Sequence, residues 1–476
     1  MFSKVLSGNQ IDRIHQASLK ILDCVGVNVP HEEILTRLAD SGCRIDWQRQ
    51  LVFISSDLIE KSLGQSGKQF TLYGRDLSKR AEFGFGQRNY NSTAGQAYWI
   101  EEVGYQRRFA TLEDVVTASK FAGALPGINI VGAMSDPHEL PVEYRCVEVM
   151  AQMVKSTTKP ITFWFHDRAS ARFLVQMMVA LRGDEKTASE YPLCYPFLEP
   201  ISPLRFPFNG IDLLFETAKL NLPVPIGPMA QMGLSAPATV AGTLVQQNAE
   251  VLAGLCITQL IRPGLPVCYG GICHAFDMAT TQLIFSGPEQ AIFSVAMAEI
   301  GKAYGLPVYT NAGLTDSKHL DTQAGLEAGI TLMVGAAGGA DIFGHMGICG
   351  VDQASSLDML VFQNELISYV ESAMREIDFS DEALGLDVIE RVGPGGMFID
   401  RQHTAERFRK ELWFPKLLDR SYYENWYESG AASMQERCRD RKRQILEDLE
   451  EEPLDNELES TLNGIVAAAK RELTQK

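Results

Sequence analysis

From residue 128 to residue 347 the chain switches repeatedly between two hydrophobic patterns. Short runs are apolar at consecutive positions: "INIVGAM" from 128, "PITFWFH" from 160, "LCYPFLE" from 193, "VPIGPMA" from 224, "PVCYGG" from 266, "PVYTNAG" from 307 and "ADIFGHMG" from 340. Between them lie longer stretches with apolar residues every three or four positions. A run that is apolar on both faces predicts a strand covered on both sides, and the 3.6-residue spacing predicts helices between the strands. Two of the helices carry local start signals. One covers 238–261, after Ser235 as a capping residue and Pro237 as a first-turn proline; the other runs from Pro288, just after Ser286, to about Tyr304. Such β-α repeats build a parallel sheet covered by helices.

Seven strands of this kind predict an α/β fold, a (β/α)8 TIM-type barrel. Its eighth strand falls either in "YNSTAGQAYWI" from 90 or near "GGMFI" from 395. The rival is an open doubly wound sheet. That fold calls for G-x-G-x-x-G between a strand and the following helix, whereas the glycines of "MVGAAGGADIFG" precede a strand. The section 1–115 reads as an N-terminal α+β extension, with a helix over 12–25 and short strand-like pieces. The barrel occupies 116–400, and 401–476 is a helical C-terminal section.

Composition narrows the class. The 476 residues are 45% hydrophobic and 22% charged, and no apolar run reaches the roughly 18 residues of a membrane span. A net charge of −17 disfavours nucleic acid and anionic membrane as partners. The first residues lack the apolar run of a secretory signal, so a cytoplasmic protein is expected. Nine dispersed cysteines fit reduced thiols. Cys268, Cys273 and His274 form the one cluster with a metal flavour, but C-x4-C-H matches no common zinc spacing, and no metal is expected.

Barrel enzymes do their chemistry at the C-terminal strand ends. Those ends are aromatic here. Trp164, Phe165 and His166 end the second predicted strand, Phe197 and Glu199 the third, Tyr309 and Asn311 the sixth, and His345 the seventh. Strand alternation would place Phe163 and Phe165 on one face, Trp164 and His166 on the other. No Ser-His-Asp set, P-loop, H-E-x-x-H or strand lysine is found, so no residue is given a covalent or acid-base role. An aromatic cage with few hydrogen-bonding groups suits a quaternary ammonium, at about 0.5–2 kcal/mol per ring contact. Trp164, Phe165, His166, Phe197 and Tyr309 are the candidate walls. His345 and Arg205 are candidate anchors for a substrate carboxylate, and Tyr98 is a candidate for closing the site from outside. Each also has a plain packing or loop-bonding reading.

Four stretches carry a family resemblance: "GPMAQMGLSAPATVAGTLVQQNAEVLAG", "FSGPEQAIFSVAMAEIGKAYGLP", "AGLTDSKHLDTQAGLEA" and "HTAERFRKELWFPKLLDR". Together with "NSTAGQAYWIEE" they resemble the trimethylamine methyltransferase superfamily over most of the chain. The resemblance implies a (β/α)8 barrel that passes an amine methyl group to the Co(I) corrinoid of a separate protein, without zinc. Archaeal trimethylamine enzymes carry pyrrolysine; this chain has standard residues only, which implies the pyrrolysine-free branch and a quaternary amine, foremost glycine betaine. A quaternary nitrogen already bears its full charge and leaves as a neutral amine, so orientation and exclusion of water suffice. The expected partners are that amine, a corrinoid (cobalamin) protein and further copies of the chain in a homo-oligomer. Two other readings remain: direct methyl transfer to tetrahydrofolate, and a betaine-binding protein without turnover.

Overall fold

A computed structural model describes residues 4–101, 104–450 and 453–475. The predicted α/β class is present, with a parallel sheet at its centre. Five strands form it in the order β4 (Val224–Ile226), β5 (Val267–Gly271), β6 (Val308–Asn311), β7 (Ile342–Met346) and β1 (Asn89–Ser92), all parallel. A separate parallel pair joins β2 (Val131–Gly132) to β3 (Ile161–Thr162).

A few backbone hydrogen bonds, short of a continuous ladder, connect the two groups. Asn91 bridges Ile130 on one side. On the other, the Ile161 amide donates to the Leu193 carbonyl at 3.2 Å, and Leu198 bridges Ile226. The segment 193–198, read as a strand from sequence, contains Pro196 and makes only these partial pairings.

The eighth sequence candidate resolves in favour of the first alternative, since Asn89–Ser92 pairs with β7. The central sheet therefore draws on chain that precedes residue 115. "GGMFI" instead forms an exposed turn.

Helices follow the strands as the periodicity predicts, but their caps differ. The helix Val240–Ile261 starts at Thr239, whose side chain accepts the Gly242 amide; Ser235 serves the preceding turn, where its hydroxyl accepts the Gln231 amide. Pro288 does open the helix Pro288–Ala303. Asp321 caps Thr322–Gly338, and in the loop before it Asp316 accepts the Phe285 amide at 3.0 Å.

Below the sheet, the antiparallel hairpin of Phe70–Tyr73 and Arg80–Phe83 closes the N-terminal ends of the strands. Phe70 and Phe83 stack at 4.3 Å, and their apolar cluster reaches Ile130, Tyr195, Cys268, Tyr309 and Ile342. The Tyr73 amide donates to the Pro192 carbonyl and the Gly84 amide to the Asp341 carboxylate, which fixes the hairpin to residues near strand starts. The opposite ends stay open to side chains, and the candidate site lies there.

Candidate functional site

Two adjoining cavities sit at the C-terminal strand ends. The inner one, a chamber of about 120 Å³, is walled by Trp164, Phe197, Tyr309 and His345 among others. A wider vestibule of about 550 Å³ includes Phe165 and His166. Trp164, Phe197, Glu199 and Met229 line both and so form the border between them.

The aromatic wall is a chain of edge contacts. Trp164 meets Phe197 at 6.5 Å and 90°, Phe197 meets Tyr309 at 5.4 Å, and Tyr309 meets His345 at 6.1 Å. Such contacts set the positive edge of one ring against the negative face of the next, which fixes ring orientation. Trp164 is also tied down by its indole N–H, which donates to the Gly95 carbonyl at 2.8 Å.

The alternation expected for 163–166 does not apply, because β3 ends at Thr162 and the backbone beyond it is irregular. Phe163 and Trp164 both reach the chamber, and Phe163 stacks on Phe165 at 4.9 Å. The His166 Nδ1 meets the Val142 carbonyl at 3.0 Å on the vestibule side.

His345 owes its place to a bulge. The β7–β1 register slips between Phe343 and Met346, and His345 adopts φ +74°. That left-handed backbone is uncommon for a residue with a Cβ and costs on the order of 1–3 kcal/mol. Its Nε2 meets the Tyr309 hydroxyl at 3.0 Å and its Nδ1 the Thr93 hydroxyl at 3.3 Å. Burial pushes the imidazole down to about 4, so it is neutral at physiological pH. Gly344 makes room for this pair: a Cβ there would lie 1.9 Å from the Tyr309 hydroxyl.

Two carboxyls stand among the aromatics. Glu199 and Asp352 line the chamber, and no Lys or Arg among the described residues lines either cavity. Burial pushes the Glu199 carboxyl up to about 7. Asp352 is likewise raised to about 7, by burial and by the Glu199 charge, against a Gln96 amide that donates to it at 2.7 Å. Three polar atoms of the lining are buried without a partner: Asn91 Oδ1, Asn311 Oδ1 and the Tyr195 hydroxyl. Unpaired buried polar atoms are costly, and they are what a polar ligand would satisfy.

Six of the eight residues singled out from sequence are thus brought together: Trp164, Phe197, Tyr309 and His345 around the chamber, Phe165 and His166 in the vestibule. Tyr98 is not among them. It packs on Phe109 at 5.0 Å under the Arg107 guanidinium, away from both cavities. Arg205 is exposed and lines neither; its backbone pairs with Asn28 and Ile201. Asp352, Gln96 and Asn91 were missed. Asn91 and Gln96 belong to the stretch whose strand had no clear pattern, and Asp352 sits in a loop with φ +63° that has no period to read.

The Cys268 and Cys273 thiols are pushed up by burial, and no group of three metal-ligating side chains occurs among the described residues. Nor is any described helix long and apolar enough to cross a membrane.

Residues 2–474 match the model of the trimethylamine methyltransferase (MTTB) family. The chain belongs to this family. It is 30% identical over 474 residues to the glycine betaine methyltransferase of Desulfitobacterium hafniense strain Y51, covering 99% of this chain and 98% of that one. It is 27% identical to a trimethylamine methyltransferase of D. hafniense strain DSM 10664 / DCB-2, over 98% and 94% of the two chains. The crystal structure of the Methanosarcina barkeri monomethylamine methyltransferase aligns at a TM-score of 0.48, with 10% identity over 92% of each chain. The family member described here is a methyltransferase.

Proposed function

We propose that this chain removes a methyl group from a quaternary amine, glycine betaine first among them, and delivers it to the corrinoid of a partner protein. The observation that carries the reading is the chamber itself: an aromatic wall with two carboxyls and no Lys or Arg among the described residues lining it. Ring faces and anionic carboxylates both attract a cation, and a neutral His345 does not oppose it. At about 120 Å³ the chamber is large enough for a short substituent such as the CH₂COO⁻ of glycine betaine.

The reading takes the eight β-α units as a closed (β/α)8 barrel. The Asn91–Ile130 and Leu198–Ile226 bridges, with the Ile161–Leu193 bond, support closure where extended pairing is lacking. In this arrangement the ammonium sits at the border formed by Trp164, Phe197, Met229 and Glu199, with one N-methyl directed into the vestibule. The tail points inward, where the unpartnered Tyr195 hydroxyl and the protonated form of Asp352, whose carboxyl is raised to about 7, donate to its carboxylate. The corrinoid, carried by the partner, supplies the nucleophile. The methyl carbon–nitrogen bond breaks with its electron pair on nitrogen, the amine leaves neutral, and no proton moves. The chain's own contribution is to hold the methyl in line and keep water away from it. Similarity to the glycine betaine methyltransferase supports the choice of substrate.

The test uses purified protein, Co(I) cobalamin and a panel of quaternary amines. Formation of methylcobalamin with glycine betaine is expected. No transfer from any amine, alongside tight binding by calorimetry, would favour a binding protein. Methyltetrahydrofolate formed without any corrinoid would favour the folate route.

A further inference from the structure

His274, the histidine of the C-x4-C-H cluster, does not line the chamber but bonds to Asn311, which does. It is fully buried at the start of the strand His274–Asp277, which pairs with Gln231–Met232 and with Gln282–Ile284. Its ring stacks on Phe285 at 4.6 Å. Burial pushes the imidazole down to about 3, so it is neutral at physiological pH. Its Nε2 meets the Asn311 side-chain nitrogen at 3.2 Å. Its Nδ1 has no hydrogen-bond partner among the described residues, and the Phe285 backbone attracts a ring proton only weakly. Asn311 ends β6, and the Gln290 side-chain amide holds its backbone carbonyl, so its own side-chain amide is the part free to turn. The Asn311 Oδ1 is also without a partner. An apolar pair would fill this space without leaving two buried polar atoms unsatisfied, a cost that packing alone does not explain.

We infer that Asn311 is a further contact for the substrate tail and that His274 positions it, letting either end of the amide face the chamber. A neutral imidazole donates at one nitrogen and accepts at the other, and its partners decide which. In the empty chamber Asn311 donates to Nε2, which leaves the ring proton on Nδ1 and the amide oxygen toward the chamber. That end suits a cation and repels a carboxylate, since two acceptors have no proton to share. A half turn of the amide exchanges its ends with almost no change in shape. Oδ1 then accepts from Nε2–H, and the amide nitrogen donates to the tail. One proton leaves Nδ1 and one reaches Nε2 by exchange with water, so the charge is unchanged. Nδ1 has no hydrogen bond to lose in this exchange. A cationic imidazole would donate at both nitrogens and lock the amide, so the burial that keeps His274 neutral keeps both settings open. The inference rests on the proposed amine site, whose carboxylate tail is the group that turns the amide.

The test is calorimetry on the full-length protein with glycine betaine and with tetramethylammonium, which has no tail. Asn311→Leu keeps the volume without the amide. It should weaken glycine betaine about ten- to a hundredfold more than tetramethylammonium, the range for a hydrogen bond to a charged group. His274→Phe keeps a ring against Phe285 but offers no hydrogen bond, and should cost glycine betaine about tenfold more than tetramethylammonium. His274→Gln, which can both donate and accept, should restore most of that difference. Equal losses for the two ligands, or none, overturn the inference while leaving the amine site in place. A wild type that binds neither ligand overturns the reading of the site, and the inference with it. Should His274→Phe be insoluble, nitrogen-15 spectra of histidine-labelled wild type decide, with the His274 signal assigned by its loss in His274→Gln. A proton on Nε2 with glycine betaine and on Nδ1 with tetramethylammonium supports the inference, and the same tautomer with both overturns it.

Discussion

Replacing Glu199 by Gln tests the electrostatics of the chamber at its centre. Burial raises this carboxyl from 4.5 to about 7. At about 1.36 kcal/mol per pH unit, ionising it in the empty chamber costs about 3 kcal/mol more than in water. A quaternary nitrogen about 5 Å away, at an effective dielectric near 20, returns about 3 kcal/mol. Above pH 7 the carboxyl is already ionised and the attraction is fully expressed, so Gln should weaken tetramethylammonium binding at pH 8 by about a hundredfold. At pH 5.5 the cation must first displace a proton, and the gap should shrink to about tenfold. Stability should move the other way. A raised folded-state pKa gives stability that is present below the unfolded value and lost as pH rises through about 7. The ligand-free Gln variant should therefore unfold in denaturant up to about 3 kcal/mol later than wild type at pH 8, and no later near pH 4.5. Water in the chamber solvates the carboxylate and makes the 3 kcal/mol an upper figure. Calorimetry across pH measures the first effect and denaturant titration the second. Equal affinities for wild type and variant at every pH would refute the argument.

Trp164→Ala removes a cage face without touching the carboxylate subsite, and should weaken glycine betaine and tetramethylammonium alike, by about 0.5–2 kcal/mol in competition assays. His345→Asn, chosen because Asn tolerates φ +74°, should raise the glycine betaine KM far more than that of tetramethylammonium if the imidazole helps hold the carboxylate. A lost bond to a charged group is worth about 1.5–3 kcal/mol, and an equal change for both substrates would return His345 to a structural role. Gly344→Ala places a Cβ 1.9 Å from the Tyr309 hydroxyl, and should cost about 1–3 kcal/mol in denaturant unfolding together with most of the activity. Retained activity with full stability would show that Tyr309 moves aside freely.

The sequence by itself determined the class and the rhythm of the fold. Strands such as "PVCYGG" and "PVYTNAG" are apolar on both faces because helices cover one side and the sheet's interior the other, so their runs are visible in any register. Pro288 marked a helix start because a proline there loses no hydrogen bond. The aromatic character of the strand ends was likewise legible, and Trp164, Phe197, Tyr309 and His345 do meet. Tertiary structure decided what has no period. Asn89–Ser92 is mostly polar, a strand because β7 and the 129–130 backbone pair with it, and 193–198 is held by a few bonds on either side of a proline. The inward turn of His345 comes from a register slip and a glycine that lets Tyr309 approach, neither of which leaves a hydrophobic pattern. Glu199 was legible as a strand-end acid and Asp352 was not, and only folding brings the two to one chamber. Burial then raises both to about 7, with the Glu199 charge adding to the rise at Asp352, a property that belongs to the enclosure and not to either residue.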